Sequence, residues 1–333
     1  MLRDTVFPLL RGSINFYLNF LQADAADAAG RLHLPPTLSP EYEKSAADMN
    51  FDLALLRWGC RTLLEIDSTL RLHDPLRARW REVTAKLTDY PTDSTGFLMG
   101  RDLPLTTSHR HYSHLLMQYP LYDVNVEQPG ARALMETSLR HWQRQKSALQ
   151  GYSCTGASSI AAALGHGDEA LQYLNGLWKA GFLTPNTLYQ EQGPVIETPL
   201  SAAQSIHDML LQSWGGKIRV FPAVPTAWAE VSYQHLSAEG GFLVSAVRRG
   251  GRTRFVTITS RAGGPCVVQS GIGGAMPHPA TVRLTPLPGG FYRLKLKKGE
   301  SVTLSAPQIS DFTVRAVAYR TGVANHYGSR AMQ

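Results

Sequence analysis

Cysteine is scarce in this sequence: Cys60, Cys154 and Cys266 are the three present, at no regular spacing. An odd and scattered set excludes a disulfide framework and argues against a zinc site. Cys60 and Cys154 stand in apolar helical surroundings and read as small core residues. Long apolar runs are missing too. No stretch approaches the ~20 residues that a membrane-crossing helix needs, so no membrane partner is expected. The opening segment, MLRDTVFPLLRGSINFYLNFLQ, does not read as a signal peptide, because it carries Asp4 and Arg11 and no small-residue cleavage site. There is no glycine-rich phosphate loop, no dinucleotide fingerprint and no Ser/His/Asp triad spacing, so no cofactor is expected.

Neither sign of charge is concentrated. The 33 Lys and Arg outnumber the 26 Asp and Glu, for a net charge of +7, a balance that can signal a nucleic-acid partner. Here the basic residues are dispersed. Their densest runs, Arg248, Arg249, Arg252 and Arg254, then Lys295, Lys297 and Lys298, lie in hairpin-like sequence, where solvated strand edges commonly carry them. Nucleic acid is therefore not an expected partner. What remains is ordinary globular composition, 43% hydrophobic and 18% charged over 333 residues, enough for two domains with a sizeable core.

Helical spacing dominates the first two thirds. Phe7, Leu10, Ile14, Tyr17 and Leu21 form one apolar stripe. A chain that opens on such a helix needs a cover for it, so the sequence is expected to begin partway through a larger protein. Further helices are expected over 48–68 with Asp48 as N-cap, 75–88, 131–147, 155–165, 168–180, and 200–213 ending at Gly215-Gly216. Successive helices of this length fit paired antiparallel hairpins, as in a toroid or a plain bundle. After Gly216 the period changes to alternation. FLVSAV (242–247) and RFVTIT (254–259) flank Arg-Arg-Gly-Gly-Arg, and TVRLTPL and FYRLKL flank Pro-Gly-Gly over 281–296, two hairpin signatures. The expected division is a helical segment over 1–216 and a β domain over 217–333, with little pattern after about 312.

Three constellations could carry chemistry. LPPTLSPEYEKSAADMN (34–50) places three prolines in a stiff loop that ends in Ser39-Pro40-Glu41-Tyr42 before a long helix. A carboxylate there suits a general acid, and equally a surface turn. SHRHYSHLLMQYP (108–120) packs His109, Arg110, His111 and His114 together. No acidic ligand follows and Arg110 would oppose a cation, so no metal is expected. The cluster suits hydrogen bonding to sugar hydroxyls, or a helix-entry loop with solvated histidines. Residues 185–216 carry Glu191 and Glu197 on an irregular loop before Pro199 and an apolar helix, a place that suits a base or a simple helix cap.

The order of these blocks, SPEY, then HRHYSHLLMQYP, then a Gly-Tyr-Ser turn with LGHGDEAL, then LLQSWGGKIRVFPAVPTAW, resembles glycoside hydrolase family 95 over about residues 1–260. That family includes α-L-fucosidases and some α-L-galactosidases. The resemblance implies an α+β multidomain architecture: part of an (α/α)6-barrel followed by an antiparallel β-sandwich domain. It implies a carbohydrate substrate and a periplasmic or secreted whole protein. By the same likeness Glu41 matches the general acid. Counting sixteen residues back from Ser213 lands on Glu197, where the family's general base is Asp. His109, Arg110, His111, His114 and Glu191 become candidate sugar contacts.

The chemistry implied is inverting hydrolysis. One carboxylic acid protonates the leaving oxygen and a carboxylate roughly 6.5–9.5 Å away activates a water on the opposite face. The family's Asn-x-Asn motif and N-terminal β domain lie upstream of the Ser-Pro-Glu block, and this chain has neither before Glu41. An upstream part of the same protein is therefore expected to complete the barrel. Two other readings stand beside this one: a non-catalytic fragment with a structural or carbohydrate-binding role, and a phosphorolytic enzyme of a related helical barrel, against which a second catalytic carboxylate argues.

Overall fold

A computed structural model describes residues 1–21, 26–179, 181–184, 188–191, 193 and 195–318. It divides into two compact units, Met1–Leu149 and Gln150–Gln333. The final residues 319–333, most of the tail with little pattern, lie outside the described residues.

In the first unit a π-helical turn, Leu2–Val6, leads into α1, Phe7–Leu18. It is followed by α2, Asn50–Leu70, α3, Arg77–Lys86, and α4, Ala131–Arg144. The apolar stripe read from the sequence is the buried one. Phe7, Ile14 and Leu21 pack with Leu53, Leu56, Cys60 and Leu63 of α2 and Trp80 and Val83 of α3, while Leu10 and Tyr17 rest on the edge of that cluster. The helices approach closely because Gly59 has no side chain. A Cβ there would stand 2.2 Å from Ile14 Cδ1.

Two short ribbons complete this unit: β1, Thr37–Leu38, against β2, Ser45–Ala46, and β3, Thr92–Asp93, against β4, Gly96–Phe97. Asp48 does not cap α2, contrary to the sequence expectation. Met49 is the N-cap residue and makes no side-chain cap bond. The Asp48 carboxylate instead accepts from the Leu34 backbone amide at 2.7 Å, fourteen residues upstream.

The second unit opens with α5, Gly151–Ala163, then α6, Gly167–Lys179, and α7, Glu197–Leu210. Gly151 and Ser153 lie inside α5 rather than ahead of it: Gln150 is the N-cap, and its side chain and that of Ser153 close a reciprocal capping box. The last helix also ends earlier than its apolar run suggests. Leu211–Trp214 is a strand, β5, paired with β6, Lys217–Val220. Gly215 and Gly216, both at positive φ, form the hairpin turn between them, not a helix terminus. An apolar run read at helical period thus crosses a helix-to-strand switch.

The remaining strands are β7, Val231–Ala238, β8, Phe242–Arg249, β9, Arg252–Ser260, β10, Gly264–Gln269, β11, Met276–His278, β12, Thr285–Leu287, β13, Phe291–Leu296, and β14, Ser301–Ser305. They form two five-stranded sheets, ordered β12-β13-β10-β6-β5 and β11-β14-β9-β8-β7. Inward residues of both sheets, among them Leu211, Val220, Val268 and Leu294 from the first and Val244, Val256, Ile258 and Leu304 from the second, make one core, a sandwich. All pairings are antiparallel except β10 with β6. The Arg-Arg-Gly-Gly-Arg hairpin forms as expected, with Arg249 opposite Arg252. In the second hairpin only residues from Thr285 onward are strand.

Candidate active site

Glu41 sits near the middle of the proline-rich loop and adopts a positive φ of 56°. Non-glycine residues enter that left-handed region rarely, and mostly where the surroundings hold them. Here Tyr42 is buried beside it, and the Ser39 hydroxyl lies 2.6 Å from that of Ser113, bonding the loop to the histidine block. The Glu41 side chain is half exposed and points at Arg110, whose Nε donates to Oε2 at 2.6 Å and Nη2 to Oε1 at 2.7 Å. His111 Nε2 is 2.9 Å from Oε2. Arg110 first, and His111 after it, hold the Glu41 carboxyl down at about 2.

The four residues of the His-Arg-His-x-x-His cluster divide. Arg110 and His111 are the two that reach Glu41. His109 is buried at 3% exposure and His114 at 1%, so neither is the solvated loop residue that one sequence reading allowed. The His109 ring meets Tyr42 edge-on, and the Trp142 indole N–H donates to the His109 carbonyl at 2.7 Å. Burial lowers the His109 pKa to about 4 and that of His114 to about 3. Among the described residues, His109 Nε2 and His114 Nδ1 are buried without a hydrogen-bond partner. No group of three or more His, Cys, Asp or Glu side chains there is arranged to hold a metal ion.

The second unit carries the other two glutamates. Glu197 stands in the first turn of α7 rather than on the loop before it. It is exposed, and its Oε2 accepts from the Ile196 amide at 3.1 Å. Glu191 is better embedded. Its Oε1 accepts from the Tyr189 phenol at 2.7 Å and from the Thr198 hydroxyl at 3.4 Å. Tyr189 is seated on bare backbone, since a Cβ on Gly151 would lie 1.6 Å from its oxygen. Burial, and then the Glu191 carboxylate, raise the Tyr189 pKa. Nothing in composition marks Tyr189 or Thr198 as partners of Glu191; their spacing across a loop and a helix start becomes visible only when folded.

Residues 1–210 match the sequence model described as Glycosyl hydrolase family 95 catalytic domain, and residues 212–304 match Glycoside hydrolase family 95, C-terminal domain. Among curated proteins the chain is similar to Alpha-L-fucosidase 2 of Arabidopsis thaliana, 23% identical over 269 residues, which is 73% of this chain and 31% of that protein. The chain thus spans under a third of that relative's length. A solved structure described as "Putative kojibiose phosphorylase from human microbiome" superimposes with a TM-score of 0.53 at 11% identity, over 90% of this chain and 43% of that one. At that identity the likeness speaks for the fold alone: helices of an (α/α)6 type followed by β structure. The two family models together cover nearly all of the described residues, helical segment and sandwich alike, and the chain belongs to glycoside hydrolase family 95.

Proposed function

We propose that this chain carries the acid and the base of an inverting glycoside hydrolase acting on α-L-fucosides or α-L-galactosides, with Glu41 as general acid and Glu197 as general base. The observation that supports it most is the setting of Glu41: a carboxyl on a proline-stiffened loop, half exposed, with a guanidinium and an imidazole within hydrogen-bond distance. Those two groups carry donors of the kind that sugar hydroxyls engage. A general acid must hold a proton at working pH, and Arg110 now opposes that. On this reading, sugar hydroxyls draw Arg110 and His111 away, the ion pair opens, and the carboxyl regains its proton beside the leaving oxygen. Glu197, in the first turn of α7 at the positive end of its dipole, is placed to suit activation of water. The rest of the barrel, and the asparagines that would hold the water, belong on this reading to an upstream part of the same protein.

The same ion pair favours a second reading, in which Glu41 stays ionised and only grips sugar hydroxyls in a non-catalytic site. Glu41→Gln in the full-length enzyme separates the two. As the acid, it loses at least about a hundredfold in turnover on glycosides with poor leaving groups and much less on aryl glycosides with good ones. Equal losses on both classes, or a loss in KM alone, would remove Glu41 from the acid role.

A further inference from the structure

The loop that presents Glu41 is closed at its base by a clasp. The Asp48 amide donates to the Leu34 carbonyl at 3.2 Å, and the Leu34 amide donates back to Asp48 Oδ1 at 2.7 Å. The Asp48 carboxylate is 1% exposed, yet it is multiply partnered. Arg101 reaches Oδ2 through Nε at 2.8 Å and through Nη2. His33 Nδ1 lies 2.7 Å from the same oxygen, and its Nε2 lies 3.2 Å from Asp27.

The segment that brings Arg101 is docked by its backbone. The Arg101 amide donates to the Ala47 carbonyl at 2.8 Å, and the Asn50 amide donates to the Met99 carbonyl at 2.9 Å. Gly100 makes that approach possible, since a Cβ there would stand 2.6 Å from Met49 Sδ and 3.1 Å from the Ala47 carbonyl oxygen. Two residues of the closed loop, Glu41 and Asp48, hold positive φ values of 56° and 50°. An isolated loop would relax out of both conformations, so something must hold them. A buried carboxylate with two cationic or imidazole partners and a backbone donor is well matched to that task, because breaking any one contact leaves a buried charge exposed to its neighbours' loss.

We propose that Asp48, gripped by Arg101 and His33, is a positioning residue that fixes the 34–48 loop in the conformation that aims Glu41. It touches no reacting atom and acts through Glu41, so the inference rests on the acid role proposed above. It accounts for an aspartate that caps no helix, for a glycine that lets a distant arginine in, and for two left-handed residues in one loop.

The test compares Asp48→Asn, Arg101→Met, Arg101→Lys and Glu41→Gln in the full-length enzyme. Asn tolerates the left-handed backbone and keeps an acceptor for the Leu34 amide, so Asp48→Asn removes the charge and puts an NH2 donor where Oδ2 accepted from Arg101. Backbone amide exchange over residues 34–48 is expected to rise in Asp48→Asn and Arg101→Met, with exchange in α2 unchanged, and to return part way in Arg101→Lys. Turnover on poor leaving groups should fall between about tenfold and a hundredfold, with KM little changed and good leaving groups spared. Arg101 is half exposed, so Arg101→Met carries the test if Asp48→Asn does not fold. Unchanged exchange over 34–48, or losses equal on both substrate classes while Glu41→Gln discriminates between them, would overturn the proposal. If Glu41→Gln itself shows no leaving-group dependence, the acid role fails, and the exchange arm alone then decides whether the clasp holds the loop.

Discussion

Glu41 and His114 both lie below their ordinary pKa values, for opposite reasons. The partners of Glu41 favour its charged form, whereas burial disfavours the charged form of His114. The stabilisation that Glu41 draws from Arg110 is present above its unfolded value and is lost as pH falls toward about 2; the pair is half exposed, so its contribution is small. The histidines act at milder pH. An unfolded histidine takes up a proton near 6.5, while His109 and His114 resist until about 4 and about 3. Between those limits the unfolded state binds more protons, so stability falls as pH falls, by up to about 1.4 kcal/mol per pH unit for each histidine. Urea melts at pH 7 and pH 5 should show this loss, and His114→Leu should flatten it; an unchanged slope would mean that His114 titrates normally in the fold. The two glutamates of the second unit call for a chemical test. With Glu197 as base, Glu197→Ala abolishes turnover and added azide restores it by replacing the activated water. Rescue of Glu191→Ala instead would transfer the role to the carboxylate that Tyr189 and Thr198 already hold.

Legibility differs by element. The stripe of α1 and the Gly250-Gly251 hairpin were readable because each is set by residues adjacent in sequence, through a 3.6-residue period or a positive-φ turn. The end of α7 was not, because Met209, Leu211 and Trp214 are buried whether the run is helix or strand, and only pairing with Lys217–Val220 decides. Asp48 was misread for the same reason. An aspartate two residues before a helix has the local signature of a cap, and the partner that outbids the helix, Arg101, lies fifty-three residues away. Glu41, Arg110 and His111 could be picked out as candidates from motif order, but their mutual contact could not. The packing of α1 on α2 permits a sharp test at this scale. Gly59→Ala gains helix propensity of about 1 kcal/mol. Its new Cβ meets Ile14 Cδ1 at 2.2 Å and Cγ1 at 2.8 Å, and overpacking of this kind costs about 1–3 kcal/mol. The closeness of both atoms makes the second effect the larger. A lower urea midpoint is expected, and an Ile14→Val change in the same chain should recover part of it; a higher midpoint would mean that α1 yields freely.

At the scale of the molecule, each unit holds an apolar cluster of its own. One cluster runs through Phe7, Leu56, Trp80 and Leu87 in Met1–Leu149, and another through Leu211, Val256, Ile258 and Leu304 in Gln150–Gln333. Among the described residues, neither of these two clusters draws on the other unit. Cooperative unfolding is carried by a shared apolar core, and chains with separate cores commonly depart from two-state behaviour. Calorimetry is therefore expected to resolve more than one transition, with a calorimetric enthalpy above the van't Hoff value. Substitutions assign the transitions. Leu56→Ala and Ile258→Ala each empty a fully buried site, at a cost of about 2–5 kcal/mol. Leu56→Ala should lower the transition of the first unit and leave the other in place, and Ile258→Ala should do the reverse. The β sandwich, with its long-range strand pairs, can be followed independently by amide exchange in Phe242–Arg249 and Arg252–Ser260, which should open with the transition that Ile258→Ala moves. A single transition displaced equally by both substitutions would mean that the two cores unfold as one, and that residues 1–149 and 150–318 are stabilised together.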